Sequence, residues 1–430
     1  MIKKILIANR GEIAIRIIRT CKEMGIKTVS IYSNEDKDSL HVFMADENVC
    51  TEKENNTDGY TNIDNIIQAA INTNCDAIHC GYGFLSENYE FAKRIEENGL
   101  ILIGTKSEIL KKVENKYLLK EIVKKIGVPV IEDYEVNDIK KENFPVLIKS
   151  VVGAGGKGIE KVENIEDFNK KLNKITFETN KSLKNTDFYI EKFIKGYRHI
   201  EIQFATDKYG NIIIFPERDC SLQLNYKKVI EITPSYNIPK EILERLKKDT
   251  IKIIKELNYI NIGTAEFIVD YENKYYFIEI NPRIQVEHTI TEMCTDVDLI
   301  KIQIDIADNK NIEEYKTIDD NIKNVFVIEA RINALEGNKN ITFCNFPFGN
   351  NIRLEACIYN GMKVSVNYDP LLMKVICKGK TRESAINRMK QALEELIIEG
   401  IETNINYLYD AITREKFISG EYDLEYLKEV

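Results

Sequence analysis

KKILIANRGEIAIRIIRTCKEMGIKTVSIYS, residues 3–33, carries two apolar runs separated by one helix-length segment. ILIA reads as a buried strand, Ile13, Ile17, Ile18 and Cys21 recur at helical spacing until Gly25 stops the helix, and KTVSIYS supplies a second strand. The unit repeats, with a helix at 63–73, the strand DAIHC, a helix at 87–97 and the strand LILIG. Strands alternating with helices of about ten residues predict a parallel α/β domain over residues 1–113.

Past that point the rhythm changes. A helix near 115–126, paired strands around FPVLIKSV and KGIEKV, a charged helix at 164–173 and the strand FYIEKFI predict a small α+β unit. From about residue 197 the longer runs HIEIQFATD, NIIIFPERD, TAEFIVDY and KYYFIEI, with further helices, predict a larger, mainly antiparallel sheet reaching the C-terminus.

Composition sets the outer limits. A chain of 430 residues exceeds the size at which one hydrophobic core stops growing, so two or three domains are expected. No apolar run approaches the ~20 residues of a membrane span, and MIKKILIANRGE, whose apolar run ends at Asn9, reads as a first strand and not as a signal peptide. A net charge of -9, with scattered lysines, gives no footprint for nucleic acid. Nine cysteines without a CxxC pair fit reduced thiols in a cytoplasmic protein and disfavour a zinc site.

Chemistry concentrates in the hairpin TAEFIVDYENKYYFIEIN, residues 264–281. A turn centred near 272–273 makes paired residue numbers sum to 545, which sets Glu266 opposite Glu279. Like charges so placed repel unless a cation lies between them, and Asn281 adds an oxygen on the same face. A divalent metal chelating nucleotide phosphates resolves the conflict, although functionless strand carboxylates also occur. NPRIQVEH follows, and continued alternation would put Arg283, Gln285 and Glu287 on that face, a set able to bind a small planar anion and deprotonate it. The glycines of GAGGKG, residues 153–158, suit close approach to a phosphate and equally a flexible hairpin turn; the run is no P-loop, because neither Ser nor Thr follows Gly-Lys.

IANRGEIAIRIIRTCKEMGI, HCGYGFLSEN, GAGGKG, ERDCS, FIEINPRIQVEHTITE and ELIIEGIETN together resemble the biotin carboxylase subunits and domains of biotin-dependent carboxylases, within the ATP-grasp superfamily. The likeness runs over essentially the whole chain. It implies a Rossmann-like α/β N-terminal parallel-sheet domain (1–113), ATP-grasp α+β domains (114–308, with a mobile lid at about 130–203) and a C-terminal biotin carboxylase domain (309–430) with a mainly antiparallel sheet. By matched position it implies ATP binding by Lys116, Lys149, Gly155, Gly156, Glu191, Lys192, Ile194, His199, Gln223, Glu266 and Glu279. Glu266, Glu279 and Asn281 would hold Mg²⁺ or Mn²⁺, at two sites. Lys228, Arg283, Gln285, Val286 and Glu287 match the bicarbonate site with Glu287 as base, and Tyr82 and Arg331 match the biotin site, where Arg331 stabilises the enolate. Lys228, Arg283, Glu287 and Arg331 form the implied catalytic set.

The implied partners are a separate biotin carboxyl carrier protein, since no AMKM-type biotinylation sequence occurs, the carboxyltransferase subunits, and a second copy of the chain through Arg19, Glu23 and Arg353. The leading expectation is the biotin carboxylase of an acetyl-CoA carboxylase, which serves fatty-acid synthesis. The alternatives are a pyruvate or other acyl-CoA carboxylase, a carboxylate-amine ligase and a non-catalytic nucleotide-binding subunit. The last is raised by departures from the family pattern: Tyr226 where a His is usual, Leu224 and Asn225 in place of basic residues, Ile232 in place of a Glu, Cys80 in place of a Pro, and CNFPFG at 344–349.

Overall fold

The computed structural model describes all residues except 53–57, 137, 151–158, 172–187, 316–324 and 366, and the side chain of Ser150. The N-terminal sheet has five parallel strands in the order Glu47–Cys50, Lys27–Tyr32, Lys4–Ile7, Ala77–His79, Ile101–Ile103. Its central strand is buried on both faces, as parallel strands between helices are. Ile5 and Ile7 join Ile13, Ile17, Ile18 and Cys21 of the helix Gly11–Glu23, while Leu6 and Ala8 join Ile66, Ile67, Phe91 and Ile95 on the other side. The edge strand Glu47–Cys50 has no counterpart in the sequence reading, because ENVC is mostly exposed and lacks an apolar face.

Four strands, Asp133–Tyr134, Phe188–Lys192, Val146–Ser150 and Ile159–Val162, form the second sheet. The third has eight strands, ordered Tyr275–Asn281, Asn261–Val269, Arg198–Thr206, Ile212–Leu224, Lys227–Thr233, Phe326–Asn333, Leu371–Gly379 and Ile352–Ala356. It is antiparallel throughout, and strands from both sides of residue 308 hydrogen-bond in it through the Lys227–Thr233/Phe326–Asn333 pairing.

Period-two alternation in this sheet creates the site. Ile200, Ile202, Phe204, Ala265 and Phe267 pack with Leu246, Ile253, Ile254 and Leu257 of the helix Lys240–Leu257. The residues between them, among them Glu201, Gln203, Thr264 and Glu266, must face the opposite side, and all are buried there. Further along, Ile328, Ala330 and Ile332 enter the C-terminal core, so Glu329 and Arg331 share the polar side.

Glu266 and Glu279 are paired as the hairpin arithmetic requires, with Thr264 opposite Asn281. Nearer the turn Val269 pairs with Tyr275, a sum of 544, and a bulge at Ile278 restores 545. One expectation fails. The strand ends at Asn281, and 282–287 is a loop running into the helix His288–Thr295, so Arg283, Gln285 and Glu287 do not continue the alternation. Pro282 accounts for the break, since it cannot donate to a ladder.

Candidate active site

Lys228, at the start of the strand Lys227–Thr233, is the hub. Its Nζ lies 2.6 Å from Glu201 Oε2, 2.8 Å from Glu266 Oε1 and 2.7 Å from Glu287 Oε1. The three acids come from two strands and from the loop after the hairpin, so only the tertiary fold assembles them. Burial opposes a charge on this lysine, but the three carboxylates outweigh it and hold its pKa well above the usual 10.5.

Each acid is further secured. Glu266 Oε1 also accepts from Asn281 Nδ2 and Gln285 Nε2, both at 2.8 Å, and its Oε2 lies 2.9 Å from His199 Nε2. Gln223 Nε2 donates to His199 Nδ1 at 3.0 Å, which fixes the ring beside Glu266. Glu201 pairs with Arg218, whose wholly buried guanidinium also donates to Gln203 (2.7 Å), Thr291 (3.0 Å) and Gln285 (2.5 Å). Glu287 bridges two cations, taking Lys228 on one oxygen and Arg331 Nη2 at 3.0 Å on the other. Although burial favours the acid form, Lys228 with His199 pulls Glu266 well below the ordinary carboxylate range, and Lys228 with Arg331 and Arg218 does the same to Glu287.

Around this hub stand the remaining predicted residues. Arg331 Nε donates to Glu231 Oε1 at 2.6 Å. Arg283 does not join the hub directly: its Nε meets Glu87 at 2.6 Å and its Nη2 meets Asn281 Oδ1 at 3.2 Å. Val286 offers its carbonyl to Lys374 Nζ at 2.7 Å, and Lys374 reaches Glu12 at 3.2 Å. Glu12 in turn accepts from the Tyr82 hydroxyl, which Arg331 approaches closely enough to act on electrostatically. Asn9 fixes the Tyr82 loop by donating to the carbonyls of Cys80 and Tyr82, both at 2.7 Å, and the Gly81 between them has a φ of +60° that disfavours any side chain.

One helix connects this sheet to the four-stranded one. Residues i and i+4 of Lys116–Lys125 face the same way: Lys116 pairs with Glu279, and Lys120 pairs with Asp133 and, at 2.7 Å, with Glu191. Lys149 meets Glu191 as well, and these lysines overcome burial to lower that carboxylate's pKa. Lys192 is exposed and Ile194 half-buried beside them. Gly155 and Gly156 lie outside the described residues. Tyr226 and Asn225, with φ of +61° and +51°, form the exposed two-residue turn between the strands Ile212–Leu224 and Lys227–Thr233, next to the paired Gln223 and Lys228.

Sequence reasoning missed Glu201, Arg218, Lys120 and Glu87. HIEIQF signals Glu201 through the same alternation that exposed Glu266. Arg218 and Glu87 carry no comparable signal, because their partners are 17 and 196 residues away.

Chemically, three cations with a carboxylate between two of them can hold a small anion and take its proton. Glu266 and Glu279, directly opposed, need positive charge, which Lys228 and Lys116 supply here. Oxygen donors in this arrangement also fit a hard divalent ion. Among the described residues, His199, Glu201 and Glu266 form a second set whose donor atoms lie within 4.8 Å of one another.

Known proteins carry the same plan. The chain matches the biotin carboxylase N-terminal domain over residues 1–110, the carbamoyl-phosphate synthase L chain ATP-binding domain over 109–315, and the biotin carboxylase C-terminal domain over 329–429. It is 43% identical to biotin carboxylase 1 of Bacillus subtilis, covering 100% of this chain and 98% of that one. Human mitochondrial pyruvate carboxylase is 37% identical over 100% of this chain, which spans 38% of that longer protein. The biotin carboxylase domain dimer of Hydrogenobacter thermophilus 2-oxoglutarate carboxylase, solved with MgADP, ADP and bicarbonate, superposes with a TM-score of 0.95 at 39% identity, covering 100% of this chain and 98% of that one.

Proposed function

The chain belongs to the biotin carboxylase family of ATP-grasp ligases, and from that premise we propose that it uses ATP and bicarbonate to carboxylate biotin borne on a separate carrier protein, as the first half-reaction of an acetyl-CoA carboxylase. The observation that carries this reading is Glu287, bridged between Lys228 and Arg331. It supports a carboxylate shared between Lys228, proposed for the anion, and Arg331, proposed for biotin.

In this reading bicarbonate displaces part of the Lys228 network and lies between Lys228 and Arg283, beside Gln285 and the Val286 backbone. Glu287 takes its proton, and the bicarbonate oxygen attacks the γ-phosphorus of ATP as ADP leaves, giving carboxyphosphate. Glu266, Glu279 and Asn281 would hold Mg²⁺ or Mn²⁺, which neutralises phosphate charge when bound. Lys116, Lys149, Glu191, His199 and Gln223 serve the nucleotide, as do Lys192, Ile194, Gly155 and Gly156. Catalysis rests on positioning and charge neutralisation. Carboxyphosphate would break into CO₂ and phosphate beside biotin, the phosphate would take the ureido N–H proton, and the resulting enolate, stabilised by Arg331 and bordered by Tyr82, would attack CO₂ through its nitrogen to give carboxybiotin.

Full-length likeness to a biotin carboxylase supports a subunit that works with a carrier and carboxyltransferase subunits. A pyruvate or 2-oxoglutarate carboxylase is the second reading, favoured by the similarity to those enzymes. Pairing of two copies through Arg19, Glu23 and Arg353 belongs to the proposal too, supported by the dimeric neighbour and by a cluster in which Arg353 meets Glu292 at 2.8 Å and Arg19 meets Glu355 at 2.8 Å. The test is ADP release with Mg²⁺, bicarbonate and free biotin. Biotin-stimulated, bicarbonate-dependent release is expected, and its absence overturns the reading. Arg331→Ala should abolish the biotin-stimulated part while ATP binding stays near wild type; equal loss of both refutes its role.

A further inference from the structure

Glu231 and Glu329 stand directly opposite each other where the strands Lys227–Thr233 and Phe326–Asn333 pair. Both are wholly buried. Directly opposed residues on one face lie about 5 Å apart at Cβ, where like charges destabilise a sheet. Glu329 accepts from the Thr289 hydroxyl on Oε2, and Glu231 accepts from Arg331 on Oε1. The other oxygen of each, Glu329 Oε1 and Glu231 Oε2, has no hydrogen-bond partner among the described residues. A buried acceptor without a donor forfeits its hydration with nothing in return.

Among the described residues no cation donates a hydrogen bond to either of these oxygens, although Lys374 and Arg331 act on Glu329 electrostatically. Lys374, opposite Arg331 on the strand Leu371–Gly379, directs its ammonium to the Val286 carbonyl and to Glu12. Lys228 is committed to Glu201, Glu266 and Glu287. Arg331 divides itself between Glu231 and Glu287. Among the described residues of the helix His288–Thr295, Thr289 gives the pair its hydroxyl, and the apolar Ile290 and Cys294 pack over Val327 and Ile376.

We infer that Glu231 and Glu329 share a single proton, and that this acid–carboxylate pair positions Arg331 beside Glu287. One O–H between the two carboxyls gives both orphaned oxygens a partner and leaves one negative charge for Arg331. Burial pushes both groups upward, Glu329 to about 8 and Glu231 to about 7, in the direction a shared proton requires. Loss of that proton would add a second buried charge next to Arg331 and draw the guanidinium away from Glu287. Glu329 is thus a positioning residue that never touches substrate; its effect on the biotin step rests on the function proposed above, whereas the proton itself does not.

Infrared spectroscopy of the whole protein decides the proton. A protonated-carboxyl C=O band that shifts in deuterium oxide, fades as pH rises through about 8 and is missing from Glu329→Gln is expected; absence of that band at neutral pH overturns the inference. Kinetics decide the positioning. Wild-type biotin-stimulated turnover should fall above about pH 8, while Glu329→Gln, whose amide N–H replaces the shared proton, should stay within about threefold of wild type at pH 7 and lose the alkaline fall. Glu329→Ala should lose roughly tenfold or more at every pH with the KM for ATP unchanged. An alkaline fall in Glu329→Gln equal to that of wild type overturns the positioning role. Absence of biotin-stimulated turnover in wild type refutes the proposed function, and the infrared band still decides the proton.

Discussion

Around Lys228, Glu266 and Glu287 are held ionised well below the ordinary carboxylate range, whereas farther along the same sheet Glu231 and Glu329 are pushed up to about 7 and about 8. All four are buried, so burial alone does not distinguish them. The supply of donors does. Glu266 receives Lys228, Asn281 and Gln285 and lies beside His199, and Glu287 bridges two full cations. Glu231 has one arginine shared with Glu287, and Glu329 has one hydroxyl. The same fold thereby holds two carboxylates ionised beside a carboxyl pair whose surroundings favour keeping a proton.

Removing the common cation breaks the contrast most severely. Lys228→Met leaves Glu201, Glu266 and Glu287 without their shared ammonium. Breaking a buried pair costs about 3–5 kcal/mol, and bicarbonate-dependent ATP cleavage should drop about a thousandfold or more. Chemical denaturation and single-turnover ADP release measure the two effects; a stable, active Lys228→Met would refute the hub.

A smaller change sharpens it. Glu231→Gln removes one of the two carboxylates that hold Arg331 and leaves Glu287 as the other. Biotin-stimulated turnover should fall roughly 10- to 100-fold, with the KM for ATP unchanged, because the residues proposed for the nucleotide lie on other elements. An equal fall in ATP binding would mean that the two regions are not separable in the way their donors suggest.

How much of this was legible beforehand follows from the range over which each signal acts. The parallel N-terminal sheet was readable because Ile5, Leu6 and Ile7 and the helix stripe repeat locally. The Glu266–Glu279 pairing was readable because a short turn fixes register, even though the bulge at Ile278 shifts the pairing nearer the turn. Alternation failed beyond Asn281, where Pro282 ends the ladder; Gln285 and Glu287 still reach the hub, by a loop the period could not describe. Arg218, Glu87 and the Glu231–Glu329 opposition depend on which distant strands become neighbours, and no periodicity within either segment carries that information.

The finest discrimination comes from stability against pH. A carboxyl raised to about 8 in the folded protein, against an ordinary value of 4.5, binds a proton when folded that it releases on unfolding. Between about pH 5 and 8 the native state therefore holds more protons, and the Glu329 contribution, fully present below its unfolded pKa, is lost as pH rises through its folded one. Glu266 and Glu287 act oppositely: their contribution is present above 4.5 and is lost as pH falls through their lowered folded values. Glu329→Gln, which cannot titrate, should then gain on wild type steadily from pH 5 to 8, by at most about 1.4 kcal/mol for each pH unit, while the acid-side loss due to Glu266 and Glu287 stays unchanged. Urea midpoints of the two proteins across that range measure the difference. Parallel curves would mean that Glu329 is ionised in the folded chain, and the contrast between the two carboxyl groups would then have to come from Glu231 alone.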